Sequence, residues 1–421
     1  MVIEMKDVNE LDATARNILA TNDKGNYTIP TKGLYPYQWN WDSAFAAMGF
    51  AQFNIDRAWT EIETLLSAQW DSGMVPHIVF HTVDPSYFPG PDVWGGAGPI
   101  ASSGISQPPI AATMARMIFD KDPVEGARRI APLYDKLKAW HRWFMDWRLD
   151  NGAVCVTHPW EAGRDNAPDW DGAMADINPV GVGEYTRRDT AHVDSSMRPT
   201  KYDYDRYLWL VNLGRSLKWD DKALVERNPF RVADPTMTFT LLRAHRDLAK
   251  IGMALGKDVS DIEADIANLE SGAASLWNES LQCYDSRNAK TGEWSGAITN
   301  ASFLCWYAGI KSEPMFDRYR EVTACVKYGI PSYDPRDDKF DGKRYWRGPV
   351  WGIMNMLVGM GMEEMQMPEA MPLRQTTADL IAEHGFAEYF DPRDGSPAGG
   401  GTFTWTAAVW LGWASPSAGA D

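Results

Sequence analysis

The sequence predicts an all-α protein, an (α/α)6 barrel in one domain, and three observations predict it. Helices of two kinds alternate along the chain, the alternation repeats roughly six times with on the order of 60 to 70 residues per pair, and no linker composition interrupts it. The first kind is amphipathic and covers residues 11–20, 58–68, 127–149, 261–277, 315–326 and 372–383. In 127–149, Ile130, Leu133, Leu137, Trp140, Phe144 and Trp147 recur every three to four residues, so one face is apolar. The second kind has almost no charge and many small residues: 42–53, 108–119, 301–309, 349–361 and 403–413, with 234–248 a weaker member. A helix apolar all round has to be buried all round. The buried helices therefore form an inner ring and the amphipathic ones an outer ring.

One stretch breaks the rhythm. Between His158 and Asp234 a single clear helix, 204–217, sits among turn-forming Asp, Gly and Pro. Long irregular connections in compact domains are usually functional, so residues 158–233 are expected to be an insertion that acts as a lid. The Gly- and Pro-rich segments 85–104 and 392–401 are expected as rim loops.

Bulk composition narrows the function. With 44% hydrophobic and 23% charged residues over 421 positions the chain reads as a soluble globular enzyme. A net charge of −16 disfavours nucleic acid and anionic membranes as partners. No run of about 18 apolar residues offers a membrane span, and the N-terminus lacks the apolar stretch of a signal peptide. A cytoplasmic location is expected, and Cys155, Cys283, Cys305 and Cys325, without CxxC spacing, are expected as free thiols. Homo-oligomerisation is compatible with this composition and not specified by it. The 20 Trp, 16 Tyr and 15 Phe are mostly core, but an aromatic excess also suits a sugar site, because the apolar face of a pyranose stacks on a ring.

Three segments concentrate aromatic and acidic residues where inner helices begin or end. Tyr35, Tyr37, Trp39 and Trp41 crowd in front of Asp42, which suits a helix N-cap or first turn. Capping explains Asp42 but not four aromatics. The segment His158–Asp171 holds Trp160 and Trp170 among Glu161, Arg164, Asp165, Asp169 and Asp171. One of these acids is the expected proton donor, since burial beside rings raises a carboxyl pKa. Glu388 lies between Phe386 and Tyr389 before a glycine-rich loop and is the candidate base. Gln107 and the pair Tyr345–Trp346 open further inner helices. His77 and His81 are four apart, but the surrounding Val, Ile and Phe read as strand, so neither a metal site nor a cofactor is expected. HExxH, Walker, GxGxxG and GxSxG motifs do not occur.

The segments YPYQWNWD, SGISQPP, HPWEAGRDNAPDWD, YWRGPVW and GFAEYFDP, in that order along nearly the whole chain, resemble the bacterial branch of glycoside hydrolase family 63, with its mannosylglycerate and glucosylglycerate hydrolases. The resemblance implies an (α/α)6 barrel and an inverting mechanism. It implies Asp165 as general acid and Glu388 as general base, with Glu161 and Asp169 the competitors for the acid role. Inversion sets the two carboxyl groups roughly 6.5–9.5 Å apart, leaving space for the attacking water. By the same analogy Tyr35, Trp39, Trp41, Asp42 and Gln107 hold the sugar, and Trp160, Tyr345 and Trp346 complete its walls. Arg198 and Tyr204 grip the glycerate carboxylate, because Arg offers a planar anion a two-pronged donor, and His77 and Tyr87 assist from a neighbouring loop.

The expected substrate is a small anionic α-glucoside or α-mannoside, a compatible solute such as glucosylglycerate or mannosylglycerate. The alternatives are a neutral α-glucoside of trehalose or kojibiose type, a helical-barrel sugar isomerase or epimerase, and a pure sugar-binding protein. Isomerases of that kind depend on barrel histidines, whereas the aromatic clusters here hold carboxylates.

Overall fold

In a computed structural model that describes residues 5–96, 98–187 and 194–418, the chain is mostly helical. The uncharged segments become buried elements. Asn40–Phe50 is buried at every position and Gly352–Glu364 from Gly352 through Met362, as the absence of charge requires. Asn40–Phe50 packs on Ala111–Lys121, that helix on Pro235–Ala254, and so on through Leu304–Tyr307, Gly352–Glu364 and Thr404–Val409, which returns to Asn40–Phe50. The amphipathic helices Ile55–Ser67, Pro123–Trp147, Ser260–Ala274, Glu313–Thr323, Ala370–His384 and Met5–Asn22 lie against these elements or the turns that lead into them.

Small residues are a requirement of the contact between first and last buried helices. A Cβ on Gly49 would stand 2.8 Å from the Cβ and 2.9 Å from the Cα of Ala408. A larger side chain there would force the two backbones apart, at a cost of about 1–3 kcal/mol.

Two elements differ in form from the expectation. The segment expected at 301–309 is a 3-10 turn, Asn300–Phe303, running into the short helix Leu304–Tyr307. The weakest expected helix, 234–248, extends over Pro235–Ala254, capped by the Asp234 carboxylate, which accepts from the Met237 N–H at 3.0 Å.

The irregular stretch contains more helix than its composition suggests: Asp171–Ala175, Lys201–Ser216 and Asp221–Arg227. Lys201–Ser216 starts at a capping box, in which Thr200 and Asp203 bond each other's backbone N–H. Residues 188–193 of the expected lid lie outside the described residues. Either side of the stretch is stitched together, because strand Val232–Ala233 pairs antiparallel with Ala153–Val156 and with Arg287–Asn288. The strand expected around His77 is Ile78–Val79. It pairs with Gln38–Trp39 and so brings His77 beside the first aromatic cluster. All four cysteines are free thiols. Among the described residues no helix is long and apolar enough to cross a membrane.

Candidate active site

The first aromatic cluster, Gln107, Tyr345 and the loop carrying Glu388 all precede or open a buried helix, and these entrances converge on one pocket of about 810 Å3. Of the residues to which the resemblance gives a catalytic or sugar- or glycerate-binding role, all except Trp346 line it: Tyr35, Trp39, Trp41, Asp42, His77, Tyr87, Gln107, Trp160, Asp165, Arg198, Tyr204, Tyr345 and Glu388.

Glu388 is 1% exposed and fully bonded. Its Oε1 accepts from the hydroxyls of Tyr35 at 3.1 Å and Tyr345 at 3.3 Å. Its Oε2 accepts from the Gly400 N–H at 3.1 Å and from Arg198 Nη2 at 3.4 Å. Gly399 turns the loop with φ +73°, and a Cβ there would fall 2.2 Å from Oε2, so only glycine leaves room for the carboxylate. Burial holds the Glu388 carboxyl above the usual glutamate value, opposed by the Arg198 charge and by the donors just named. The result is a carboxylate with raised proton affinity that is still stabilised when ionised.

The segment His158–Asp171 separates its acids by role. Glu161, 1% exposed, accepts from Arg148 Nη2 at 3.2 Å and from the N–H and hydroxyl of Thr157 at 2.6 and 2.9 Å. Asp169 takes both prongs of the buried Arg164 guanidinium at 3.0 Å, while Arg164 Nη2 also reaches Asp234 at 2.8 Å. Asp171 pairs with Arg347. These acids hold the loop in place. Asp165 is the acid of the segment that lines the pocket, and it is partly exposed.

Asp42 occupies the first turn of Asn40–Phe50 and is buried. Burial first, then the nearby negative charge of Glu388, holds its carboxyl well above the usual aspartate value. Gln107 Oε1 accepts from the Trp41 N–H at 3.2 Å. Arg198 is buried at the end of the turn Ser195–Met197, with its guanidinium 4.5 Å from the Tyr345 ring centre and 5.8 Å from that of Tyr35. Burial opposes its charge, but the surrounding oxygens of Tyr35, Glu388, Tyr345 and Tyr389 keep it cationic. Tyr204 donates to the Phe88 carbonyl at 3.3 Å.

The two paired histidines of the sequence go to separate tasks. His77 bonds Ser103 Oγ through Nδ1 at 2.7 Å, and burial holds it neutral. His81 bonds Gln38 Oε1 at 2.7 Å and stacks on Tyr27.

Trp346 corrects the expectation. It is 1% exposed and stands behind the wall, stacked on Trp351 with ring centres 3.9 Å apart and planes 5° off parallel. Its neighbour Tyr345, with φ +40°, turns inward to the pocket, and the two side chains of the pair diverge. Phe403 and Trp405 line the pocket and were not singled out. They stand at the entrance of the last buried helix, where Tyr35, Gln107 and Tyr345 stand in theirs, and that shared position was the available signal. Phe88 and Pro89 also contribute, from a rim loop in which nothing marks these two positions as pocket residues.

Residues 35–406 match the family model of the mannosylglycerate hydrolase MGH1-like glycoside hydrolase domain. A mannosylglycerate hydrolase from Selaginella moellendorffii is 43% identical over 410 residues, covering 94% of this chain and 84% of that protein. A glucosylglycerate hydrolase from Mycolicibacterium hassiacum is 34% identical, covering 96% of this chain and 97% of its own. The crystal structure of the family 63 mannosylglycerate hydrolase from Thermus thermophilus, in complex with Tris and D-glycerate, superposes with a TM-score of 0.92 at 39% identity over 95% of this chain and 98% of that one.

Proposed function

Because this chain belongs to the mannosylglycerate hydrolase MGH1-like glycoside hydrolase family, we propose that its pocket hydrolyses an α-glycoside of glycerate, glucosyl or mannosyl, with inversion. Asp165 protonates the glycosidic oxygen while Glu388 takes a proton from a water attacking the opposite face of the anomeric carbon. What carries this reading is the sorting of the acids: Asp165 and Glu388 line the pocket, whereas Glu161 and Asp169 lie outside it, bound to the buried Arg148 and Arg164.

Glu388 suits the base role because burial strengthens it while Tyr35, Tyr345, Gly400 and Arg198 keep its ionised form accessible. Asp42, Gln107, Trp39 and Trp41 bind and stack the sugar. Arg198 and Tyr204, with His77 and Tyr87, receive the glycerate end, a role supported by the D-glycerate found in the solved relative. The helix pairs are read as one (α/α)6 barrel domain, with residues 158–233 as its lid. Cytoplasmic recycling of a compatible solute is the physiological setting that fits.

Proton NMR of the first product tests the mechanism. The β-anomer of the free hexose is expected from an α-linked glycerate glycoside, and early α-anomer would refute inversion.

A further inference from the structure

We propose that Tyr207 is a positioning residue for the proton donor: its phenol fixes the main chain of Asp165 and ties the acid to the helix that presents Tyr204 to the pocket. This inference rests on reading Asp165 as that donor.

The segment Arg164–Asn166 is held at each residue, through the main chain at Arg164 and Asp165 and through the side chain at Asn166. The Trp170 indole donates to the Arg164 carbonyl at 2.7 Å, and the Trp346 N–H donates to Asn166 Oδ1 at 2.9 Å. For the acid itself the bond comes from the insertion, where the Tyr207 hydroxyl donates to the Asp165 carbonyl at 2.8 Å. Tyr207 is 3% exposed and does not line the pocket, so this bond is not a substrate contact. Burial, then the negative charges of Asp203 and Asp165, keep its phenol protonated, so it remains a donor at any working pH.

Tyr204 and Tyr207 lie three residues apart in Lys201–Ser216 and therefore share a helix face. Both rings pack edge-on against Trp160, with centres 5.8 and 5.6 Å away. The turn that carries them is held from below. His158 Nε2 bonds the Tyr207 carbonyl at 3.0 Å, while His158 Nδ1 accepts from the Trp160 N–H at 3.0 Å, which assigns the ring proton to Nε2. One helical turn thus touches the aglycone end of the pocket with Tyr204 and holds the acid with Tyr207. Recognition of the leaving group and placement of its proton donor share one rigid element, and a misplacement of about 1 Å is enough to cost roughly a hundredfold in rate.

The test compares two substrates whose leaving groups differ in their need for a proton. Tyr207→Phe keeps the ring and removes the bond. On the glycerate glycoside kcat is expected to fall about 10- to 100-fold with KM within about twofold. On the matching α-glycosyl fluoride, whose fluoride departs with little protonic assistance, turnover is expected to stay within about threefold. Retained fluoride turnover also reports a folded site. Asp165→Asn is measured on the same pair. Equal losses of Asp165→Asn on both substrates would overturn the donor assignment and this inference with it. A selective loss for Asp165→Asn, with Tyr207→Phe losing equally on both or on neither, would overturn the inference alone.

Discussion

Arg198 Nη2 stands 3.4 Å from Glu388 Oε2, and both side chains are buried, although 190 residues of chain separate them. A guanidinium in that position acts on the carboxylate in two ways: it lowers the cost of the ionised form and helps fix its orientation by holding Oε2. It also links the turn Ser195–Met197 to the loop before the last buried helix, so the proposed glycerate end and the proposed base share a charge.

Removing that charge has a signed consequence. In Arg198→Gln, Glu388 loses a cation and its pKa rises, so the ionised base is lost at higher pH than in the parent. The acid limb of the kcat/KM profile is expected to move upward. Turnover of the glycerate glycoside is expected to fall at least about tenfold more than that of a neutral α-glucoside. An unmoved acid limb, or equal losses on both substrates, contradicts the dual role.

Tyr35 and Tyr345 act in the same direction through hydrogen bonds alone. A bond to a charged acceptor is worth about 1.5–3 kcal/mol, and these two are long, so each Tyr→Phe change is expected to raise the acid limb by about one pH unit. A pH–rate series on the single and double variants measures it. Because both donors share Oε1, the loss of one lets the other tighten, and the double variant is expected to shift by more than the sum of the two single variants.

Asp42 predicts an opposition between stability and activity. Its folded pKa is raised, so its ionised form is penalised only in the folded state. Below the unfolded aspartate pKa of about 3.9 both states are protonated and nothing is lost; the penalty grows as pH rises through the folded value. Asp42→Asn is therefore expected to melt about 2 °C higher at neutral pH and level with the parent near pH 3, while losing at least about a hundredfold in kcat/KM. Scanning calorimetry across pH, beside a standard assay, checks both halves.

The acids of the segment His158–Asp171 are expected to separate by phenotype. Glu161→Ala or Asp169→Ala leaves Arg148 or Arg164, each 0% exposed, with a deficit of negative charge, and about 3–5 kcal/mol of stability is expected to go. Asp165→Asn keeps shape and sits partly exposed, so about 1 kcal/mol or less is expected, with activity lost by several orders of magnitude. Denaturant titration of the three variants distinguishes scaffold acids from the pocket acid.

The alternation of charged and uncharged helices was legible because burial imposes it directly on composition, as in Asn40–Phe50 and Gly352–Glu364. The aromatic entrances were legible for the same local reason. Which acid of the segment His158–Asp171 faces the pocket was not, because the answer lies in partners remote in sequence: Arg164 is neutralised in part by Asp234, 70 residues on. The Arg198–Glu388 contact was hidden likewise, since the sequence supports a carboxylate partner for Arg198 without showing that the protein supplies one of its own. Trp346 was misplaced because adjacent residues at a tight turn point to opposite sides, which composition does not encode.

The parallel stack of Trp346 on Trp351 gives the molecule an optical signature. Two indoles this close and this nearly parallel couple their excited states, so they contribute to the ultraviolet circular dichroism and fluorescence as a pair. Trp346 also touches the edge of the pocket through Trp41, with ring centres 6.2 Å apart. A ligand that settles against Trp41 therefore perturbs a chromophore pair it never touches, and binding becomes readable by spectroscopy without a label.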